Sequence, residues 1–175
     1  NAFYYAFKMT GRNNPNYFIA DSLSDALGRD KSSRLYVSLK KGKQLVSEIN
    51  AYITGSIDTG LLIISGKLNE GISFQELDTA LWQEIEKLRT EELEEIELNR
   101  IMIKIRTSRE FQEQGLLNRA MNLSIYELLG DANQINNESK IYSEITKKDI
   151  LKCANEILQR NNCSLLKVKA DQHAR

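Results

Sequence analysis

The chain has 175 residues, of which 41% are hydrophobic and 27% are charged, proportions that are ordinary for a globular domain. Its 24 Lys and Arg residues equal its 24 Asp and Glu residues in number, so no overall field attracts nucleic acid or an anionic lipid surface. The longest aliphatic run covers residues 61–64, whereas a membrane-spanning helix needs about 20 apolar residues. Length and composition thus predict one domain without a membrane span or a nucleic-acid partner.

The first forty residues predict a strand followed by two helices. Bulky apolar side chains recur at every second position of residues 3–9, the period of a strand with one buried face. Residues 17–27 have helical spacing, and Gly28 is predicted to end that helix in the left-handed conformation. Ser32 or Ser33 is predicted to cap a second, short helix by accepting a hydrogen bond from a free amide.

Residues 45–54 and 61–67 predict an antiparallel β-hairpin. Apolar residues alternate with polar ones in the first segment, and glycines at positions 55 and 60 flank the connection between the two. The second segment begins with four consecutive aliphatic residues. Such a run favours a central strand that is covered on both faces.

The second half of the chain is predicted to be mainly helical. Ser73 begins one helix, and residues 90–114 predict another, with the glutamates of residues 91–94 in its first turns and with Leu93 and Ile96 facing inward. Further helices and a last strand are predicted at residues 116–129, 131–142, 146–159 and 163–169. This order predicts an α+β fold, in which one small, mostly antiparallel sheet packs against several helices.

Residue types that support catalysis are scarce. The single histidine is His173, so the chain cannot contain the His-x-x-Glu-His motif of one class of zinc peptidases. A zinc site needs three or four ligands, and the spacing of the remaining candidates gathers none, so no metal or other cofactor is predicted. Cys153 and Cys163 are predicted to be free thiols, and the acidic run of residues 91–97 is interpreted as a solvated helix start.

The ends of the sequence are interpreted separately from its centre. Asn1 and Ala2 are interpreted as a cleavage scar, and residues 171–175 as a tail. Residues 3–170 are predicted to form a single domain that belongs to a longer, two-domain parent chain.

Several motifs in order resemble one protein family. A Gly-Arg-Asn turn at residues 11–13 precedes the sequence Leu-Gly-Arg-Asp-Lys-Ser-Ser-Arg-Leu-Tyr at residues 27–36, and the predicted hairpin and acid-led helix follow. Together they resemble the second-half domain of the pitrilysin/insulinase family of zinc peptidases, which includes the mitochondrial processing peptidases. The resemblance extends over nearly the whole chain and implies the α+β half-domain fold of that family.

The resemblance also implies two domains of similar fold that close over an unfolded peptide and have different roles. Zinc and the glutamate base would lie in an N-terminal domain, and this chain would be the non-catalytic C-terminal domain of a zinc metalloendopeptidase, inactive by itself. Implied partners are the N-terminal zinc-binding domain and a peptide substrate, with a homodimer as an open alternative.

Two candidate substrate contacts follow from the same resemblance. Family members often have an Arg and a Tyr, seven residues apart, that reach the scissile region. The corresponding positions here are Lys40 and Ser47. Lysine keeps the positive charge but lacks the planar fork of arginine, and serine is too short to reach as far as a tyrosine hydroxyl.

Other functional classes stay open. The chain could belong to a catalytically inactive homologue that serves as a scaffold or as a partner subunit of a separate zinc-bearing chain. The presence of His-x-x-Glu-His in the parent chain, upstream of Phe3, discriminates between the two. An unrelated α+β binding module is a third option, which a first strand with different neighbours would favour.

Overall fold

The computed structural model describes residues 1–170, which contain one four-stranded sheet. All strand pairs are antiparallel, in the spatial order β2-β3-β1-β4, and Tyr5 lies opposite Ile64 on one side and Leu165 on the other. The strands are β1 (Ala2–Met9), β2 (Val46–Ile53), β3 (Gly60–Leu68) and β4 (Cys163–Val168). The predicted hairpin is confirmed, and the first strand pairs with both the hairpin and the last strand.

Residues 1–170 contain six α-helices. They are α1 (Asn16–Gly28), α2 (Phe74–Thr90), α3 (Glu95–Glu113), α4 (Leu116–Leu128), α5 (Glu138–Ser143) and α6 (Lys147–Ile157). Helices α1 and α6 are among those that contact the sheet directly. A π-helix covers Tyr36–Gly42, and short 3-10 helices cover Ala132–Asn137 and Arg160–Asn162. Ser73 caps α2 as predicted, because its side chain accepts a hydrogen bond from the backbone N–H of Glu76. The α+β fold class is confirmed.

The hydrophobic core lies between the helices and one face of the sheet. Phe3, Tyr5 and Phe7 on that face are at most 1% exposed, so the alternation in β1 identified the buried face correctly. Leu77 and Leu81 of α2 are fully buried in the same core. Burial of such side chains supplies most of the driving force for folding, at roughly 25 cal/mol per Å² of apolar surface.

The opposite face of the sheet has no covering layer within the described residues. We call it the open sheet face and define it by Tyr4, Ala6, Tyr52, Ile63, Ser65 and Leu166, which are cross-strand neighbours. Tyr4 is 41% exposed, Tyr52 is 42% exposed and Leu166 is 59% exposed. The central position of β3 is therefore confirmed, but the prediction that both of its faces are covered is wrong.

Gly28 has a different role from the predicted one. It is the last residue of α1, as predicted, but it has no positive φ, so the expectation of a left-handed conformation is wrong. Instead α1 crosses β2 so closely that a Cβ atom at position 28 would lie 2.7 Å from the backbone nitrogen of Ala51. Glycine is required here for close packing of a helix on a strand, rather than for its conformational freedom.

The acidic run also differs from its prediction. Helix α2 continues to Thr90 and α3 begins only at Glu95, so residues 91–94 form a connection instead of a first helical turn. Leu93 is buried in the core as predicted, whereas Ile96 is 75% exposed and its predicted inward orientation is wrong. The buried side of α3 comprises Leu98, Ile101 and Ile105.

None of the helices within residues 1–170 combines the length and the apolar character needed to cross a membrane.

Candidate substrate-contact site

The loop between α1 and the π-helix is organised by one aspartate. The side chain of Asp30 accepts hydrogen bonds from the backbone N–H and the hydroxyl of Ser32, each at 2.7 Å, and its carbonyl oxygen accepts one from Ser33 Oγ at 2.6 Å. The prediction that Ser32 or Ser33 caps a helix is wrong, because Leu35 is the N-cap residue of the π-helix and no side chain accepts a hydrogen bond there. A side-chain turn such as the one at Asp30 competes locally with helix capping.

Helix α3 holds this loop in place. The guanidinium of Arg34 donates two hydrogen bonds to the Glu97 carboxylate, from Nε at 3.0 Å and from Nη2 at 2.9 Å, and both side chains are largely buried. Lys104 pairs with Asp30 at 3.1 Å. Burial opposes ionisation of Asp30, but its hydrogen bonds from Ser32 and Lys104 outweigh that effect and lower its pKa to about 2.

The π-helix presents Lys40 on the surface of this assembly. Its Nζ lies 5.2 Å from the ring centroid of Tyr36, a cation–π arrangement. On another side of the same helix, Ser38 donates a hydrogen bond of 2.9 Å to Glu84, whose carboxylate also pairs with Lys87. Because π-helices are rare and are frequently found at functional sites, this segment is the strongest local indication of a site.

Lys40 lines a shallow surface depression of about 250 Å³ between α1 and β2. We call it the Lys40 depression and define it by Gly28, Arg29, Asp30, Lys31, Tyr36, Lys40, Glu48, Ile49 and Asn50. Glu48 and Asn50 alternate with buried Ile49 and lie on the same face of β2 as Tyr52. The depression thus borders the open sheet face.

Ser47 lies apart from this depression. It is the exposed residue at a bulge of β2, between the register positions of Val46 and Glu48. Its hydroxyl donates a hydrogen bond of 3.4 Å to the backbone oxygen of Lys67. Lys40, in the π-helix, lies beside the edge strand β2, and Ser47 lies within that strand, but no hydrogen bond joins the two side chains. Substrate contact by either residue stays a prediction.

Sequence reasoning missed three residues beside Lys40, namely Lys31, Tyr36 and Asn50. Tyr36 could have been found, because its separation of four residues from Lys40 is the spacing of neighbours on one helix face. No local signal links Lys31 or Asn50 to Lys40, since only the packing of α1 on β2 brings them to the same depression.

The described residues contain neither a metal-binding cluster nor an ionised thiol. Among residues 1–170, no group of three or more His, Cys, Asp and Glu side chains is placed to hold a metal ion, so these residues do not fit a zinc site. His173 lies outside the described residues. Both cysteines are free, and burial raises the pKa of the Cys153 thiol to about 12 and that of Cys163 to about 11, so both stay protonated at neutral pH.

Comparison with known proteins assigns the chain to a family. The sequence model of the peptidase M16 inactive domain matches residues 1–105, which is more than half of the chain. The chain belongs to the peptidase M16 family. This M16 domain contains the β-hairpin, the π-helix and the Arg34–Glu97 contact within the matched residues, and the resemblance inferred from the sequence motifs is confirmed. It corresponds to the inactive domain of zinc-protease-like proteins.

Solved structures share the fold of this M16 domain over almost its whole length. The inactive peptidase domain of a protein named as a zinc protease, from Bordetella parapertussis, has a TM-score of 0.88 at 18% identity, and covers 99% of this chain and 94% of its own. A protein named as a zinc protease from Bordetella pertussis has a TM-score of 0.84 at 20% identity, with 97% of this chain and 94% of its own covered. At these identities the likeness shows the fold alone.

Longer proteins contain the same fold as one part. A protease from Helicobacter pylori has a TM-score of 0.87 at 20% identity, and the match covers 94% of this chain but only 40% of the Helicobacter protein. The M16 domain described here thus spans less than half of that relative. Among curated proteins, none matches the chain significantly.

Proposed function

We propose that this M16 domain is the non-catalytic C-terminal domain of a zinc metalloendopeptidase, and that its open sheet face forms part of a chamber that encloses and positions a peptide. The observation that carries the proposal is the exposure of Tyr4, Tyr52 and Leu166 on a sheet face without a covering layer among residues 1–170. Exposed apolar side chains that form a contiguous patch mark binding surfaces, and these three belong to one sheet face whose other members are their cross-strand neighbours. The N-terminal half of the parent would bind the zinc ion and the water molecule that the zinc activates.

Lys40 and Ser47 are proposed as contacts of the enclosed peptide. Lys40 lies beside the open sheet face and Ser47 lies at its β2 edge. A lysine ammonium can donate hydrogen bonds to a peptide carbonyl, although it lacks the two-pronged geometry of arginine. The hydroxyl of Ser47 can donate one hydrogen bond once it leaves the backbone oxygen of Lys67.

A second candidate is a catalytically inactive partner subunit. The observation that favours it is the replacement of the family's Arg and Tyr by Lys40 and Ser47, which weakens the expected grip on the scissile region. In that case the domain would supply a binding wall to a separate chain that bears the zinc.

Measurements on the full-length parent protein distinguish these two candidate functions. Zinc content and cleavage of a quenched peptide are measured with and without a chelator, and the 175-residue chain alone serves as the control. Zinc and chelator-sensitive cleavage in the parent, with neither in the chain alone, would support the first proposal. Absence of both from the parent would favour the inactive partner.

Lys40→Ala in the full-length parent is expected to lower kcat/KM for peptide cleavage by about 5- to 30-fold, because one charge-assisted hydrogen bond contributes roughly 1–2 kcal/mol. The Tm should fall by no more than about 2–4 °C, since Lys40 forms no ion pair within residues 1–170 and the substitution removes only its cation–π contact with Tyr36. The matched control is Lys41→Ala, an exposed neighbour outside the Lys40 depression. Equal kcat/KM values for wild type and Lys40→Ala would contradict the proposed contact.

The exposed side of α4 is proposed as the contact with the N-terminal half of the parent. Leu117 is 72% exposed, Met121 is 55% exposed and Leu128 is 70% exposed, and their spacing places them on one side of the helix. Only Arg119 and Glu127 carry charge in this helix. The Helicobacter relative, of which this fold spans 40%, indicates that a parent chain has ample length to cover the surface.

Leu117→Glu combined with Leu128→Glu is expected to lower the Tm of the full-length parent by several degrees and to leave the Tm of the 175-residue chain unchanged, because the contact exists only in the parent. Ile103→Glu, on the exposed side of α3, is the matched control. A parent Tm that does not respond to the double substitution would contradict the assignment. A parent that dimerises through α4 would identify a second copy as the occupant and also contradict it.

A further inference from the structure

The Lys40 depression is rich in charge. Three of its lining residues are cationic and two are acidic, and they come from the α1 end, the following loop, the π-helix and β2. What such a site binds depends on which of these charges are already paired within the domain, because a paired charge attracts a ligand far less than a free one.

Both carboxylates of the depression are engaged by cations. Asp30 pairs with Lys104 at 3.1 Å and accepts two hydrogen bonds from Ser32. Glu48 pairs with Lys67 across the hairpin at 3.1 Å. Asp30 therefore does not need a cation from a ligand, and the charge of Glu48 is offset in part by Lys67.

One of the three cations is also engaged. Arg29 pairs with Asp25 at 3.1 Å and lies 3.5 Å from Asp21. By contrast, Lys31 and Lys40 form no ion pair within residues 1–170. The depression thus has two ammonium groups whose charge is not neutralised.

The surroundings of Lys40 preserve its capacity to bind an anion. The ring of Tyr36 lies against its Nζ and stabilises the positive charge without occupying its N–H donors as a carboxylate would. Asn50 on the rim is exposed, so its side-chain amide is available as a further hydrogen-bond donor.

We propose that the Lys40 depression binds a carboxylate of the peptide, either an Asp or Glu side chain or the C-terminal carboxylate, between Lys31 and Lys40. The inference deepens the proposed function, on which it rests, by assigning an acidic preference to the substrate. A carboxylate fits because it is the anionic group that peptides carry, and charge-assisted hydrogen bonds to ammonium groups are about twice as strong as neutral ones.

The test measures binding of labelled peptides to the 175-residue chain by fluorescence anisotropy. Three peptides of one otherwise uncharged sequence are compared: one with an internal Glu and an amidated end, one with Gln and a free carboxylate, and one with Gln and an amidated end. We expect one or both carboxylate peptides to bind about 5- to 20-fold more tightly than the uncharged peptide. The preference should shrink as salt is raised, because the charges are exposed to solvent.

Charge-reversal variants localise the effect. Lys40→Glu, or Lys31→Glu if the first variant fails to fold, is expected to abolish the carboxylate preference. Lys41→Glu is the matched control, because it makes the same change of net charge on the same helix but outside the depression, and it should keep most of the preference. Equal loss in Lys40→Glu and Lys41→Glu, or equal affinity for all three peptides, would overturn the proposal.

Measuring peptide binding and peptide cleavage separately distinguishes a failure of this inference from a failure of the proposed function. A carboxylate preference in the chain, combined with a full-length parent that neither binds zinc nor cleaves peptides, would support the site and contradict the peptidase proposal. Cleavage by a parent whose kcat/KM is the same for all three peptides would support the peptidase and overturn the site.

Discussion

Gly28→Asn is expected to lower the free energy of unfolding of the domain by about 3 kcal/mol or more, and Gly28→Ala by about 2 kcal/mol. A Cβ atom at this position would lie 2.7 Å from the nitrogen of Ala51 and 2.9 Å from its Cβ, so α1 would have to move away from β2. Overpacking of this kind costs typically about 1–3 kcal/mol, and the larger side chain costs more. Urea unfolding followed by circular dichroism gives the difference directly.

The two explanations of Gly28 make opposite predictions for asparagine. A left-handed position tolerates Asn better than Ala, whereas a close contact tolerates Ala better than Asn. Gly71→Asn is the matched control, because Gly71 has a φ of 81° and a Cβ atom added there would have no other atom within 4 Å. This control should cost less than about 1 kcal/mol. A Gly28→Asn variant more stable than Gly28→Ala would contradict the close-packing explanation.

Arg34→Ala is expected to lower the free energy of unfolding by about 2–3 kcal/mol. The substitution removes both hydrogen bonds to Glu97 and leaves a carboxylate whose side chain is only 12% exposed without its cation. An uncompensated, largely buried charge is costly, whereas a pair of exposed charges contributes little. Arg34→Lys should cost less, about 1 kcal/mol, because it keeps the charge and loses only the two-pronged geometry.

The controls for Arg34 lie on α3. Arg106→Ala breaks the pair with Glu110, whose side chains are 78% and 65% exposed, and should cost less than about 0.5 kcal/mol. Arg34→Ala combined with Glu97→Gln should recover part of the loss, because the unpaired carboxylate is then neutral. A double variant whose loss equals the sum of the two single losses would show that these residues are not coupled.

The elements of this fold could be predicted wherever a local pattern is sufficient. The period of two in residues 3–9 identified both the first strand and its buried face, and the Ser73 cap identified the start of α2. The hairpin and the final strand were likewise found from short runs of sequence. These patterns act within a few residues, so the chain itself expresses them.

Errors arose where a contact between distant segments decides the outcome. The position of Gly28 at the end of α1 suggests a left-handed conformation, but the close approach of Ala51 on β2 explains why glycine is present. Ile96 lies three residues after buried Leu93, which is a helical spacing, but α3 begins only at Glu95, so the two residues do not share one helix face. The predicted caps Ser32 and Ser33 are an exception, because the Asp30 oxygens to which they donate belong to a residue only two and three positions away.

In the candidate site, too, some residues could be identified from the sequence and others only from the tertiary structure. Family motifs in the sequence identified Lys40 and Ser47 as positions to consider and predicted the M16 fold that the comparisons confirm. Only the tertiary structure places Lys31 and Asn50 beside Lys40 in one depression and separates Ser47 from it.

The sequence by itself determined the strands, most of the helices, the buried face of β1 and the family, because periodicity, caps and motif order are properties of neighbouring residues. The tertiary structure decided the open sheet face, the need for glycine at position 28 and the charge left free around Lys40. These depend on packing and on ion pairs such as Arg34–Glu97, whose partners are 63 residues apart in sequence. Such pairs form only when the helices are packed on the sheet, so no local pattern can specify them.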